Sequence, residues 1–134
     1  MIEQPICADD KIGIKFLKEH FETPIFIDEG CSTYDDATCI VSNQYSDGVA
    51  IKLLKAGGIH NANSIYDMAI RNHIDCSASC LFESPIGVAA IASFTAGKTL
   101  QFIDIDPMYL IKTNPIVGGV IFKDFSLILP DKPG

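Results

Sequence analysis

Three residues whose side chains could act together in proton chemistry recur at nearly equal intervals along the chain. Glu3, Asp28 and Lys52 lie 25 and 24 positions apart, and each stands at or near the end of a short run of β-forming residues. If these runs are neighbouring parallel strands, about 5 Å apart, the two carboxylates can hold one hard divalent cation such as Mg²⁺. A lysine beside that cation has its ammonium form disfavoured, and the lower pKa suits a general base. Such residues predict removal of a proton next to a substrate carboxylate, with the metal stabilising the enolate.

A second candidate pair is Asp104-Ile-Asp106, near the end of a later β-type run. If the segment is extended, both side chains point the same way, and two carboxylates could bind a substrate ammonium group. Both sets of residues also have plainer interpretations. Isolated Asp and Lys residues at strand ends commonly cap loops or carry solvated charge, and Asp104 and Asp106 could be turn residues before Pro107. The residues alone leave these alternatives open.

The candidates follow a repeating unit of strand and helix. The β-type runs are Met1–Glu3, Pro24–Asp28, Val49–Leu53, His73–Ser77 and Leu100–Asp106. Helices are expected over 11–21 behind Asp9-Asp10, over 32–43 behind a capping box of Ser32 and Asp35, from Asn61 or Asn63 onward, and from Ser84-Pro85 to Gly97. Four alternations in a row predict an α/β fold of parallel strands joined by right-handed crossovers.

Parallel strands of this kind can form an open sheet or part of a closed barrel. A barrel is favoured because each strand offers its reactive residue at the carboxyl end, where a (β/α) barrel builds its active site, although an open sheet would also place ligands there. No G-x-G-x-x-G or Walker A pattern supports a nucleotide-binding sheet. We therefore expect a partial (β/α)8 barrel with about five parallel strands over residues 1–110.

The pattern changes after Asp106. Val120–Phe122 and Ser126–Leu129 are short β-type runs separated by Lys123-Asp-Phe125. This arrangement predicts a β-hairpin or two short antiparallel strands. Residues 111–134 are therefore interpreted as a separate C-terminal β extension.

Composition excludes several classes of function. The net charge of -7 repels phosphate backbones and anionic lipids, so no nucleic-acid or membrane partner is expected. No apolar stretch approaches the ~18 residues of a membrane span, and the first residues lack a signal-peptide pattern, so we expect a cytoplasmic protein. The five cysteines are odd in number and fit reduced thiols. A zinc site at His73, Cys76 and Cys80 is disfavoured because no second ligand pair follows at the usual spacing.

At these residues the sequence resembles a known family. The motifs are Ile2-Glu-Gln-Pro5, Pro24-Ile-Phe-Ile-Asp-Glu29, Ile51-Lys-Leu-Leu-Lys-Ala-Gly-Gly-Ile59, Leu81-Phe-Glu-Ser-Pro-Ile-Gly87, Ile103-Asp-Ile-Asp106 and the closing Leu129-Pro-Asp-Lys-Pro-Gly134. In this order they resemble the enolase superfamily, its muconate-lactonizing subgroup and, within that, the dipeptide epimerases. The resemblance covers essentially the whole chain.

The resemblance implies a role for each candidate residue. Glu3 and Asp28 resemble the second and third of the family's three metal ligands, and Lys52 resembles the acid/base lysine of the sixth barrel strand. Asp104 and Asp106 resemble the Asp-x-Asp that binds the α-ammonium group of a dipeptide substrate. That pair favours a dipeptide epimerase over a muconate cycloisomerase or an o-succinylbenzoate synthase, whose substrates have no ammonium group.

The resemblance also implies that much of the family's chain is absent. We expect the C-terminal half of a barrel, without the capping domain on which 111–134 would pack, the first three strands, the Lys-x-Lys and the first metal ligand. The expected consequences are weakened Mg²⁺ binding, no useful epimerase activity for the chain alone, and a homo-oligomer formed through the exposed half-barrel edges. A noncatalytic self-associating remnant and an enzyme completed by dimerization are the alternatives.

Overall fold

A computed structural model describes residues 1–131, and it contains one parallel sheet in which the strands follow chain order. The strands are β1 (Ile2–Glu3), β2 (Ile25–Ile27), β3 (Gly48–Ile51), β4 (Asp75–Ser79) and β5 (Phe102–Asp104). Each pairs in parallel with the next. A doubly wound open sheet reverses its strand order at a switch point, whereas this order runs in one direction, as in a barrel. The predicted α/β partial barrel is confirmed.

Helices α1 (Lys11–His20), α2 (Tyr34–Asn43), α4 (Ile59–Arg71) and α5 (Pro85–Thr95) connect the strands, with the short helix α3 (Leu53–Ala56) before α4 and α6 (Pro107–Leu110) after β5. The expected cap at Ser84 is confirmed, because its side chain accepts a hydrogen bond from the Gly87 amide. The capping box of α2 lies one residue later than expected. Asp36, not Asp35, pairs with Thr33, and its Oδ2 also accepts from the Ser32 amide.

The third strand ends earlier than the sequence predicted. β3 stops at Ile51, and Leu53 begins α3 where a strand had been expected. Gly57 ends α3 in the left-handed region with φ 77°, which most side chains disfavour. The next helix therefore starts at Ile59, ahead of the predicted Asn61 or Asn63. The consequence is that one turn of helix directly follows Lys52.

The side of the sheet that packs on the helices forms the main core. Strand residues of this side alternate with residues of the opposite side, as the two-residue period of a strand requires. The core cluster contains side chains from both kinds of element. Its strand residues include Ile25, Ile27, Val49, Ile51, Cys76 and Ala78, and its helix residues include Ile14, Ile40, Ile65 and Ile91. The opposite side of the sheet carries Phe26, Ala50 and Ser77.

The sheet is strongly curled. Phe26 of β2 and Phe102 of β5 contact each other edge to face, with ring centroids 5.9 Å apart. Three strand spacings separate these strands, which in a flat sheet would be roughly 14 Å. The contact therefore requires β2 and β5 to bend toward each other around a concave inner face. Gly48 leaves room for the Phe26 ring, since a Cβ there would be 2.3 Å from a ring carbon.

The C-terminal extension is the predicted antiparallel hairpin. Strands β6 (Ile121–Lys123) and β7 (Ser126–Ile128) pair around Asp124 and Phe125, both at positive φ as a two-residue type I′ turn requires. Val120 packs with Val88 and Ala92 of α5. Residues 132–134 of the predicted extension, and of the closing family motif, lie outside the described residues.

None of the helices in residues 1–131 has both the length and the apolar character to cross a bilayer.

The packing of Gly48 against Phe26 generates a first prediction. Gly48→Ala should lower the free energy of unfolding by about 1–3 kcal/mol, because the added methyl group overpacks the inner face. In a Phe26→Ala background the same substitution should cost much less. Urea unfolding at one fixed protein concentration measures both. An equal cost in the two backgrounds would show that the ring does not set the need for glycine.

Candidate functional site

Strand register places the predicted residues on the concave inner face at the carboxyl end of the sheet. Glu3 is opposite Phe26, and Asp28 follows Phe26 by two residues. Ala50 is opposite Ser77, two residues before Lys52 and Ser79 respectively. Ser79 in turn is opposite Asp104. Because side chains two residues apart share a face, each strand or the residue directly after it contributes one polar side chain to this face, and the five are called the row below: Glu3, Asp28, Lys52, Ser79 and Asp104.

The centre of this row is the buried carboxylate of Asp28. Its side chain accepts from two lysines: Lys52 Nζ lies 2.5 Å from Oδ2 and Lys55 Nζ lies 2.5 Å from Oδ1. Burial acts to raise the pKa of Asp28, but the hydrogen bonds from Lys52 and Lys55 outweigh burial and lower the pKa. Asp28 is therefore held as an anion although only 3% of its surface is exposed.

Lys55 is a site residue that the sequence analysis missed. Its ammonium group donates to the Asp28 carbonyl as well as to the carboxylate, and to the Ala50 carbonyl at 3.1 Å. The signal that could have revealed it is the spacing Lys52-x-x-Lys55, since residues three apart on a helical turn share a side. The strand expected from the sequence runs through Leu53, so no helical turn is predicted there.

The carboxylates around Lys52 determine its charge in the absence of a cation. Burial acts to lower the pKa of Lys52, but the hydrogen bond from Lys52 to Asp28 and the negative charges of Asp28, Glu3 and Glu29 raise it. The lowered pKa expected from the sequence applies to Lys52 beside a bound cation, and it stays a prediction.

Glu3 and Asp28 form a pair of carboxylates that fits a hard divalent cation. Burial raises the pKa of Glu3, the nearby Asp28 carboxylate raises it further, and Lys52 opposes this shift. The Asp28 carboxylate thus disfavours the charged form of Glu3, and a cation such as Mg²⁺ bound between carboxylates would offset that repulsion. Among residues 1–131, no three His, Cys, Asp or Glu side chains group closely enough to bind a metal. Within the described residues, Glu3 and Asp28 are therefore two carboxylates that could contribute to a metal site without forming a complete ligand set.

The backbone around Asp28 is held by Gln4, which the sequence analysis also missed. Gln4 Oε1 accepts from the amides of Asp28 at 3.0 Å and Gly30 at 3.1 Å, while its Nε2 donates to the Ile6 carbonyl at 2.9 Å. The residue has a positive φ of 38°. One side chain therefore ties the end of β1 to the end of β2 directly beside the two carboxylates.

Asp104 is the last member of the row, and Asp106 follows it by two residues. Both side chains are exposed. Asp104 ends β5, and its carbonyl accepts from the Cys80 amide at 3.2 Å. Asp106 has helical backbone torsions, φ −96° and ψ −10°, and precedes α6. The expectation of an extended segment through Asp106 is wrong, because Pro107 begins a helix that takes Asp106 into its N-terminal turn.

The pKa of the Cys80 thiol depends on the charged groups at this end of the site. Burial raises the pKa of Cys80 to about 12, the carboxylates of Glu83, Asp106 and Asp104 contribute in the same direction, and Lys52 opposes them. The predicted ammonium-binding pair, Asp104 and Asp106, and the predicted base, Lys52, therefore all influence the pKa of this thiol. Of these groups, Glu83 is buried and was not singled out by the sequence analysis.

Comparisons with known proteins agree on one family. The family described as enolase C-terminal domain-like matches residues 1–134. The L-Ala-D/L-Glu epimerase of Bacillus subtilis (strain 168) is 33% identical over 135 residues, covering 100% of this chain and 37% of that protein. The hydrophobic dipeptide epimerase of Enterococcus faecalis (strain ATCC 700802 / V583) is 34% identical, covering 96% of this chain and 37% of that protein. The chain therefore spans well under half the length of these relatives.

Solved structures give the same result. A substrate-liganded complex of the L-Ala-D/L-Glu epimerase from Bacillus subtilis superposes with a TM-score of 0.96 at 33% identity, covering 100% of this chain and 38% of that chain. The dipeptide epimerase from Enterococcus faecalis V583, complexed with Mg and L-Leu-L-Tyr, superposes with a TM-score of 0.86 at 34% identity, covering 89% of this chain and 34% of that one. The match over the whole chain, on the curled parallel sheet described above, shows that this chain belongs to the enolase C-terminal domain-like family and is a relative of the dipeptide epimerases.

Proposed function

We propose that this chain supplies the C-terminal half of the barrel of a Mg²⁺-dependent dipeptide epimerase, which moves a proton at the α-carbon of a dipeptide. The observation that carries the proposal is the Asp28 carboxylate, shared by two lysines and next to Glu3 at the carboxyl end of the sheet. Proton removal next to a carboxylate needs an anion that can bind the stabilising cation and an amine that can act as the base. Asp28 and Lys52 are candidates for these two roles.

Each residue of the row has a role in this proposal. Glu3 and Asp28 would hold Mg²⁺, which when bound stabilises the negative charge that develops on the substrate carboxylate. Lys52 Nζ, in the neutral form that a neighbouring cation favours, would take the α-proton from one face of the substrate, and the electron pair of the broken C–H bond would move toward that carboxylate. Return of a proton to the other face requires a second acid/base group in its protonated form, which the resemblance places in a part of the barrel beyond these residues.

The exposed carboxylates Asp104 and Asp106 support a dipeptide as the substrate. They lie at the same rim as Lys52, and an ammonium group is the natural partner of two carboxylates. Muconate cycloisomerase and o-succinylbenzoate synthase are the alternatives within the family, and a muconate cycloisomerase of Acinetobacter lwoffii is 28% identical to this chain. A substrate without an ammonium group would leave the two carboxylates without a binding partner.

The proposal predicts the behaviour of Lys52 variants in a reconstituted enzyme. The chain alone should give no epimerization of L-Ala-L-Glu with Mg²⁺, because only one face of the substrate has its base and two of three metal carboxylates are present. Addition of the N-terminal part of the Bacillus subtilis relative should restore epimerization, measured by proton NMR as the appearance of the second diastereomer.

Lys52→Ala should abolish the restored epimerization, whereas Lys112→Ala, which removes an exposed lysine outside the row, should leave it unchanged. Epimerization that survives in the Lys52→Ala enzyme would refute the assignment of Lys52. Epimerization by the unmixed chain would instead favour an enzyme completed by its own dimerization.

A separate prediction concerns the ammonium site. In the reconstituted enzyme, Asp104→Asn should raise KM for a free dipeptide by roughly 10- to 100-fold, the value of a charge-assisted hydrogen bond of about 1.5–3 kcal/mol. KM for the N-acetylated dipeptide should change little. Steady-state kinetics with both substrates test this, and an equal rise for both would show that Asp104 does not recognise the ammonium group.

We also propose that the 134-residue chain by itself forms a homo-oligomer. In the described sheet β1 and β5 each pair on one side only, and Phe102 leaves 42% of its surface exposed on the concave face. Unpaired edges and exposed apolar surface favour association. Light scattering at micromolar concentration should give a mass above 14.5 kDa, and the N-terminal part of the relative should convert the oligomer into a one-to-one complex. A clean monomer would contradict this.

A further inference from the structure

Two lysines three residues apart bind the same carboxylate, yet their surroundings differ. We propose that Lys55 is a positioning residue that holds Asp28 permanently, whereas Lys52 is an exchangeable partner that leaves Asp28 Oδ2 when a divalent cation binds there. This inference rests on the proposed function, because it takes Asp28 as a ligand of Mg²⁺. It goes further by assigning opposite roles to the two ammonium groups.

The hydrogen bonds of Lys55 account for all of its donors. An ammonium group has three N–H bonds. Lys55 Nζ has three acceptors: Asp28 Oδ1 at 2.5 Å, the Asp28 carbonyl, and the Ala50 carbonyl at 3.1 Å. No N–H of Lys55 remains for a substrate. Lys55 is therefore fully used by the protein.

Lys52 is different within the part of the chain that the structure describes. Its Nζ makes one hydrogen bond, to Asp28 Oδ2, and so keeps two N–H bonds for other partners. Departure of Lys52 from Asp28 breaks one contact, whereas departure of Lys55 breaks three. Since buried acceptors left without a donor are costly, Oδ2 is the oxygen of Asp28 that can exchange its partner.

Lys55 also joins three parts of the fold at the site. It belongs to α3, its partner Asp28 follows β2, and Ala50 lies within β3. The ammonium group therefore fixes both the backbone and the carboxylate of Asp28 relative to the neighbouring strand. Gln4 holds the Asp28 amide from the side of β1. With its amide, carbonyl and Oδ1 all occupied, Asp28 presents a single oxygen in a defined direction.

The two roles predict changes of opposite sign in metal affinity. Both lysines are cations near the proposed Mg²⁺ position, so by charge alone the loss of either would strengthen metal binding. If Lys52 competes for Oδ2, Lys52→Met should lower the Mg²⁺ concentration that half-saturates the protein. If Lys55 positions Asp28, Lys55→Met should raise that concentration by about 10-fold, the lower end of the loss seen when outer partners of metal ligands are removed.

The experiment measures the rise of the thermal unfolding midpoint of the 134-residue chain as Mg²⁺ is added at constant ionic strength. Lys112→Met serves as the matched control, since it removes one exposed positive charge elsewhere. Lys55→Arg is the second variant, because it retains the charge and the buried ion pair but cannot place three donors at one point. We expect a weakened response to Mg²⁺ in both Lys55 variants and an unchanged response in the control.

The outcomes separate this inference from the proposed function. If the wild-type midpoint does not respond to Mg²⁺, the assignment of Glu3 and Asp28 as metal ligands fails in the chain, and this inference fails with it. If the wild type responds and Lys55→Met binds Mg²⁺ as well as or better than the wild type, only the role of Lys55 is overturned. A response of Lys55→Arg equal to the wild type would overturn it equally.

Discussion

The site depends on one buried carboxylate that stays charged. Taking an isolated anion out of water is costly unless opposite charges and hydrogen bonds compensate. Asp28 is compensated by Lys52 and Lys55 through its carboxylate, and by Gln4 through its amide. With Glu3 included, two negative and two positive side chains meet at one end of the sheet. This balance makes the charge of the Asp28 carboxylate compatible with its buried position.

The curl of the sheet brings these charges together. In the parallel register, one polar side chain of each strand faces inward at the carboxyl end. The contact of Phe26 with Phe102 on the same face shows how far the strands bend. The small residue Gly48 makes that contact possible, because a side chain there would meet the Phe26 ring. The apolar layer and the polar row are therefore parts of the same concave face.

The same geometry explains how the chain relates to longer proteins. It covers about 37% of its curated relatives, and its sheet has one-sided pairing at both β1 and β5. A barrel of this type gathers the groups of its active site from the ends of many strands. In the proposed function these five strands supply two carboxylates for a metal, one base and a carboxylate pair for an ammonium group, while the opposite face of a substrate needs groups from other strands.

Local patterns in the sequence were sufficient for the alternation of strand and helix, the cap at Ser84, the terminal hairpin and the family. Each of these depends on interactions among neighbouring residues or on motifs in a fixed order. The triple contact of Lys55, the clamp by Gln4 and the raised pKa of Lys52 were decided only by the tertiary structure. The helical conformation of Asp106 and the early end of β3 likewise depend on how the following turns pack. Charges from different strands interact according to distance and burial, and neither quantity is contained in the spacing of residues along a chain.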